Sequence, residues 1–202
     1  AKHAGGRRGR RHGLRPWSGS NPDGRRVSIP PTGGSESMHL LYHMNLAAAE
    51  HTIDLAAAYF VPDPLSMTVL LKACERGVRL RVLMPGRHTD SFMVHHASRA
   101  LWAPLLRAGA ELYVFEPTMF HMKMLIVDEV MTSVGSTNFD NRSFRLNNEA
   151  SLNVHNREFA ALMTRVYTSD LQRARRITLE QWERRPLAQR LVERVFAPIA
   201  DQ

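Results

Sequence analysis

The residues best suited to chemistry form one short motif. His121 and Lys123 are separated by a single residue, Asp128 follows after four more, and Ser136 and Asn138 lie beyond it. Alternate residues of a β-strand project from the same face, so a strand at this point would place His121 beside Lys123. An imidazole next to an ammonium suits attack on a phosphate, because the ammonium offsets the oxygen charge while the imidazole acts as nucleophile.

The rest of the motif supplies hydrogen-bonding groups. Ser136 and Asn138 follow the next predicted strand and offer a hydroxyl and an amide to non-bridging phosphate oxygens. Asp128 falls on the opposite face of a regular strand from His121, so we expect it to hold structure more than to touch substrate. Glu149, eleven residues after Asn138, can accept a proton from the second ring nitrogen of His121 and so fix its tautomer. A lone His-x-Lys pair carries little weight, but six residue types at fixed spacing rarely arise by chance.

The elements around the motif alternate between helical and strand patterns. Predicted strands cover residues 52–60, 78–84, 111–115, 122–127, 131–134 and 150–154. Predicted helices run from Ser35 or Ser37 to about Glu50, through Met67–Cys74 with Gly77 as cap, from 91 to 108 with a break at Pro104, and through Phe159, Leu162, Met163 and Val166. This order predicts an α/β fold, a sandwich in which helices flank a mixed sheet.

Charge divides the chain into three segments. Residues 1–35 hold Lys2 and seven arginines against one acid, with eight of the twelve glycines, which predicts a linker or disordered leader. Residues 36–156 form the predicted catalytic domain and have a net charge of −2. Residues 157–202, at +3, are predicted to be C-terminal helices packed on that domain. The overall charge of +8 therefore belongs to the flanks, which weakens the case for a nucleic-acid binder.

Composition excludes several classes of protein. Hydrophobic residues make up 44% and charged residues 23%, a balance typical of globular proteins rather than disordered or fibrous ones. No apolar run approaches the ~18 residues of a membrane-spanning helix. One cysteine, Cys74, cannot form an intramolecular disulfide, and its place in a helical stripe indicates a core residue. We expect Trp102 and Trp182 to pack in the core rather than anchor at a membrane, and His39 and His43 to be surface polar residues.

The spacing H-x-K-x4-D-x6-G-S-x-N resembles the signature of the phospholipase D superfamily. The flanking segments YFVPD, RGVRLRVLMP and GSTNFDNRSFRLNNE are similar to bacterial cardiolipin synthases. The resemblance covers about residues 25–200 and matches the second, C-terminal catalytic half of those enzymes. It implies that His121 is a catalytic histidine, that Lys123 and Asn138 bind phosphate, and that Glu149 orients His121, with Asp128 completing the motif. It implies a phosphohistidine intermediate and no metal or other cofactor.

Only one copy of the motif is present, whereas members of the superfamily bring two copies together around one phosphate. None of the other nine histidines is followed two residues later by lysine. Three interpretations stay open, in this order of preference. The chain is a fragment whose first half and membrane segments lie upstream, or it pairs with a second copy of itself across a two-fold axis, or it is an inactive lipid-binding module.

The resemblance predicts phosphatidyl transfer, in which two phosphatidylglycerol molecules give cardiolipin and glycerol. The expected partners are anionic phospholipid and a second motif-bearing half, at the cytoplasmic side of a bacterial inner membrane. The alternative enzyme is a homodimeric phosphodiesterase or nuclease. The basic leader favours nucleic acid slightly, but the −2 charge of residues 36–156 and the absence of an aromatic stacking platform argue against it.

Overall fold

The computed structural model describes residues 24–28, 34–89, 91–140, 149–187, 189–190 and 192. They contain ten strands: β1 Gly24–Ser28, β2 Thr52–Ala57, β3 Phe60–Val61, β4 Arg79–Pro85, β5 Glu111–Phe115, β6 Lys123–Val127, β7 Met131–Gly135, β8 Phe139–Asp140, β9 Ala150–His155 and β10 Ala174–Ile177. The helices are α1 Gly34–Ala48, α2 Pro64–Glu75, α3 Phe92–Ala100, α4 Trp102–Arg107, α5 Arg157–Gln172 and α6 Leu179–Glu183. This confirms the predicted α/β fold.

Eight of the strands form one mixed sheet in the order β1-β9-β7-β6-β2-β4-β5-β10. The central strands β2, β4 and β5 are parallel, and the others pair antiparallel. Strands β3 and β8 form a separate two-stranded sheet. As a result, the carboxyl ends of β2, β4, β5 and β7 and the amino ends of β6 and β9 all meet at one edge of the large sheet. We call this edge the motif edge.

Alternation along the strands gives the sheet two apolar faces. Ile53, Leu55 and Leu125 point to the face covered by α1, α2, α4 and α6. Met124 and Ile126 point to the other face, where α5 packs. Trp102 and Trp182 are 1% and 3% exposed and pack on the same face as Ile53, which confirms that they are core residues. Among the described residues, no helix is both long enough and apolar enough to cross a bilayer.

Local signals account for the helix boundaries. Asp63 caps α2 by accepting a hydrogen bond from the Ser66 amide at 2.7 Å. Gly77 ends the same helix at φ +85°, and the amides of Gly77 and Val78 donate to the last turn, as predicted for a glycine cap. The long helix predicted over 91–108 breaks at Leu101 into α3 and α4.

The structure corrects four expectations about secondary structure and helix orientation. Gly24–Ser28 lies within the predicted leader but forms edge strand β1 against β9, Gly34 and Ser35 begin α1, and the other leader residues lie outside the described residues. Strand β10 was predicted as helix. The strand predicted over 52–60 ends at Ala57 and resumes as β3. Helix α5 buries Ala160 and Tyr167, whereas two residues of the predicted inward stripe, Leu162 and Val166, are 44% and 39% exposed.

Candidate active site

His121 and Lys123 lie where the chain enters β6, at the motif edge. Lys123 is the first residue of that strand and pairs with Ala57 of β2. His121 is exposed, whereas the Lys123 side chain is 7% exposed, and its Nζ donates to the His121 carbonyl oxygen at 3.0 Å. This bond keeps a positive charge next to the histidine. An ammonium held largely out of water interacts more strongly with an arriving anion than one in bulk solvent.

Tyr59 contacts both His121 and Asn138, although it was not among the predicted site residues. Its ring stands edge-on to the imidazole, with centroids 6.4 Å apart, and its amide donates to Oδ1 of Asn138 at 3.2 Å. Because that oxygen is engaged, the Asn138 side chain can offer its NH₂ group to a phosphate oxygen. The available signal was indirect, since Tyr59 follows a buried strand and precedes the breakers Pro62 and Pro64.

Ser136 is held against the start of β9. Its amide donates to the Ala150 carbonyl at 2.9 Å, and its hydroxyl accepts from the Ala150 amide at 3.0 Å. Thr137 and Ser151 share a buried hydrogen bond of 3.0 Å between their hydroxyls. Gly135 makes this approach possible, because a Cβ there would overlap the Ala150 carbonyl and Ser151. The end of β7 is therefore fixed to the residue that follows Glu149.

Glu149 lies at the same edge, immediately before β9. Burial raises the pKa of Tyr42 on α1, the hydrogen bond with Ser133 lowers it, and the charge of Glu149 raises it. The Tyr42 hydroxyl accepts a hydrogen bond from Ser133 of β7 at 3.5 Å. Glu149 directly precedes Ala150, the residue that Ser136 contacts. The proposed bond between Glu149 and His121 stays a prediction.

Asp128 lies at the other end of β6, roughly 20 Å from His121 along the strand. Its carboxylate accepts three backbone hydrogen bonds, from Glu50 at 2.9 Å, His51 at 2.8 Å and Thr52 at 2.7 Å. Burial alone would raise its pKa, but these three donors hold the pKa below its ordinary value. Asp128 thus secures the start of β2 and does not reach the motif edge.

A cationic cavity of about 470 Å³ opens near the ends of β4, β5 and β10. Four arginines line it, Arg87, Arg99, Arg175 and Arg185. Arg87 and Arg175 share one carboxylate, Glu116, at 3.6 and 3.3 Å, so the described lining retains excess positive charge. Thr89 and His95 line both this cavity and a small recess that includes Tyr59. The cavity therefore adjoins the residue that packs against His121.

Comparison with known proteins identifies the family. Residues 42–171 match the family described as cardiolipin synthase, PLD-like domain. The chain belongs to this family. Cardiolipin synthase A of Klebsiella pneumoniae is 38% identical over 150 residues, which are 74% of this chain and 30% of that protein. Cardiolipin synthase A of Pseudomonas syringae is 36% identical over 172 residues, covering 84% and 36% of the two chains. The chain thus spans about a third of the length of these curated relatives.

Solved structures share the fold. Nuc, a phospholipase D family member from Salmonella typhimurium, superposes with a TM-score of 0.64 at 23% identity, over 72% of this chain and 94% of that one. Phosphatidylserine synthase of Haemophilus influenzae gives a TM-score of 0.63 at 13% identity, over 85% and 44%. Both comparisons support the mixed sheet with helices on its two faces.

Proposed function

We propose that the chain supplies one half of the active site of a phosphatidyltransferase of the cardiolipin synthase type. The observation that carries this proposal is the joint placement of His121, Lys123 and Asn138 at one sheet edge, within a chain that belongs to the cardiolipin synthase family. The single motif and the one-third coverage of the relatives support a half-site. The other half would carry its own His-x-Lys pair.

In the first step a ring nitrogen of His121 attacks phosphorus of phosphatidylglycerol. A P–N bond forms, the P–O bond to glycerol breaks, and the histidine of the other half donates a proton to the departing alkoxide. Lys123 and the NH₂ group of Asn138 offset charge on the non-bridging oxygens as the transition state develops. Glu149 holds the His121 ring by accepting its second N–H.

In the second step the hydroxyl of another phosphatidylglycerol loses its proton to the histidine of the other half. The resulting oxygen attacks phosphorus, the P–N bond breaks, and His121 is regenerated with cardiolipin as product. The covalent intermediate keeps the phosphoryl group activated, so an alcohol can replace water as acceptor. No step in this sequence requires a metal.

The cationic cavity supports anionic phospholipid as the substrate class. Arg87 follows the end of β4 by two residues, and β4 lies two strands, roughly 10 Å, across the sheet from β6. The cavity arginines are suited to hold the phosphate of a lipid headgroup through charge-assisted hydrogen bonds. We accordingly propose that the assembled enzyme works peripherally, at the cytoplasmic face of a bacterial inner membrane.

A substitution at His121 tests the proposal. In the chain assembled with a second motif-bearing half, His121→Asn should reduce formation of cardiolipin from phosphatidylglycerol vesicles by at least about 10⁴-fold, because the nucleophile is lost. Acid quenching of the unsubstituted assembly should trap a phosphatidyl group on His121. His155→Asn, an exposed histidine at the far end of β9, serves as the matched control and should retain activity. Full activity in His121→Asn would overturn the proposal.

A homodimeric phosphodiesterase is the second candidate. The observation in its favour is length, since this chain covers 94% of Nuc but about a third of the cardiolipin synthases. In that arrangement two copies of His121 would serve as nucleophile and acid around one phosphate. Hydrolysis of a simple phosphodiester by the chain alone, without a second half, would favour this candidate over transfer.

A further inference from the structure

A second cluster of chemically active side chains lies between α1 and the start of α2. His39 and His43 are one turn apart on α1, with ring centroids separated by 4.1 Å. Nε2 of His39 is 2.9 Å from Oδ2 of Asp63, and Nε2 of His43 is 2.9 Å from the Ser66 hydroxyl. The side chains of His39 and Asp63 are only 16% and 12% exposed, and His43 is also partly buried, so these histidines are not the surface residues that the sequence predicted.

The geometry of the cluster fits a metal ion. One ligand atom each from His39, His43 and Asp63 can be chosen so that all three lie within 4.8 Å of one another. Ligands about 2.0 Å from a tetrahedral ion are about 3.3 Å apart, so the contact between His39 and Asp63 would open by about 0.4 Å. Two imidazoles and one carboxylate, with a fourth position for water, form a donor set suited to Zn²⁺ and neighbouring transition metals.

We propose that His39, His43 and Asp63 form a binding site for a divalent transition-metal ion such as Zn²⁺. None of its ligands belongs to the His-x-Lys motif. Its role would be structural, with the ion tying α1 to the first turn of α2. Tyr42, which lies between the two histidines on α1, accepts a hydrogen bond from Ser133 in the sheet.

Metal binding would also restrain the segment that leads into the active site. Asp63 follows β3 by two residues, and Tyr59, which contacts both His121 and Asn138, precedes the same strand by one. An ion held by Asp63 would therefore limit movement at one end of a five-residue segment. Because the ion binds the folded state, it would also raise the temperature of unfolding.

Metal titration of the purified 202-residue chain tests the site. Calorimetry with Zn²⁺ should give one ion per chain, and Co²⁺ should produce visible d–d absorption from a site with imidazole ligands. Asp63→Asn should weaken Zn²⁺ binding by at least about 100-fold, and so should His43→Gln. Asparagine still caps a helix, so Asp63→Asn removes the charged ligand without removing the cap of α2. Zn²⁺ should raise the melting temperature of the unsubstituted chain but not that of either variant.

His95 and His96 on α3 provide the matched control, since they are two adjacent imidazoles outside the proposed site. The double variant His95→Gln/His96→Gln should retain the stoichiometry, the Co²⁺ spectrum and the thermal shift. Loss of binding in that control, with unchanged binding in Asp63→Asn and His43→Gln, would overturn the proposal. Absence of binding at micromolar Zn²⁺ by a folded chain would overturn it equally.

Discussion

Two charged residues at opposite ends of β6 show how one motif can serve two purposes. Lys123 begins the strand and keeps its ammonium beside His121, where a phosphate would arrive. Asp128 follows the strand, and its carboxylate accepts hydrogen bonds from the three backbone amides of residues 50–52. The four residues between Lys123 and Asp128 are therefore the rest of strand β6. In this chain the aspartate of the motif positions the strand that neighbours Lys123 rather than the substrate.

Asp128→Asn should destabilise the chain by about 1–3 kcal/mol at neutral pH, because the amide accepts these hydrogen bonds less strongly than a carboxylate. Asparagine tolerates the left-handed backbone at this position, where φ is 51°, so the substitution adds little strain. Urea unfolding followed by circular dichroism measures the difference. Glu129→Gln is the control, since Glu129 is exposed and has a φ of 52° in the same turn.

The pH dependence of this difference follows from the lowered pKa of Asp128. A group whose folded pKa is below its unfolded value of ~3.9 adds stability above that value and loses it as the pH falls through the folded pKa. The gap between the unsubstituted chain and Asp128→Asn should therefore be constant from about pH 5 to 8 and shrink below about pH 4. A gap that persists unchanged at low pH would show that the carboxylate charge does not contribute.

At the scale of elements, a buried ion pair joins β2 to β4 under α5. Asp54 and Arg81 are register partners, and two hydrogen bonds of 2.6 Å connect the guanidinium to the carboxylate. The Tyr167 hydroxyl of α5 donates to the Arg81 carbonyl at 3.1 Å, and its ring lies 5.4 Å from the guanidinium carbon. Burial raises the pKa of Tyr167 well above its ordinary value, so the hydroxyl stays protonated and able to donate.

Removing one partner of this pair should be far more damaging than removing both. Asp54→Ala should lower the free energy of unfolding by about 3–5 kcal/mol, because it leaves a buried guanidinium without its carboxylate. The double variant Asp54→Leu/Arg81→Met should recover most of that loss, since apolar residues of similar volume can replace a buried pair. Chemical unfolding of the unsubstituted chain and of these two variants measures both losses. Equal losses in the single and double variants would contradict this account.

Helix α5 shows that a sequence pattern can predict a helix without predicting which of its sides is buried. Apolar spacing correctly predicted a helix in the α5 region, but Leu162 and Val166 are largely exposed while Ala160 and Tyr167 are buried. Tertiary contacts set the helix rotation, because the Tyr167 hydroxyl must reach backbone carbonyls of the sheet. The spacing of apolar residues indicates an apolar stripe on the helix, but it contains no information about the sheet carbonyls that Tyr167 contacts.

The edge strands and the site show the same difference between features set by local sequence and features set by distant partners. β1 and β10 contain adjacent arginines and lack strand alternation, so only their partners β9 and β5 reveal them. By contrast, β6, which His121 precedes and Lys123 begins, and β7, which Ser136 follows, have strong local patterns, and the sequence predicts both strands. Tyr59 was missed as a site residue because its contacts, to His121 and Asn138, come from distant parts of the chain.

At the scale of the whole molecule, a single His-x-Lys pair cannot supply both the nucleophile and the acid of the proposed reaction. A general acid contributes ~10²–10⁴-fold to such a rate, so a half-site should be nearly inactive. The relatives are about three times as long as the segment they share with this chain. Catalysis should then depend on what the chain is joined to.

We expect the purified 202-residue chain to be a monomer by light scattering and to form no cardiolipin from phosphatidylglycerol vesicles. Co-expression with a phospholipase D-like half that carries its own His-x-Lys pair should produce a one-to-one complex with transfer activity. That activity should disappear when either histidine is replaced by asparagine, because each performs a step that the other cannot. A homodimer that is active alone would contradict this expectation, since two copies of His121 would then complete the site, and the phosphodiesterase would become the better assignment.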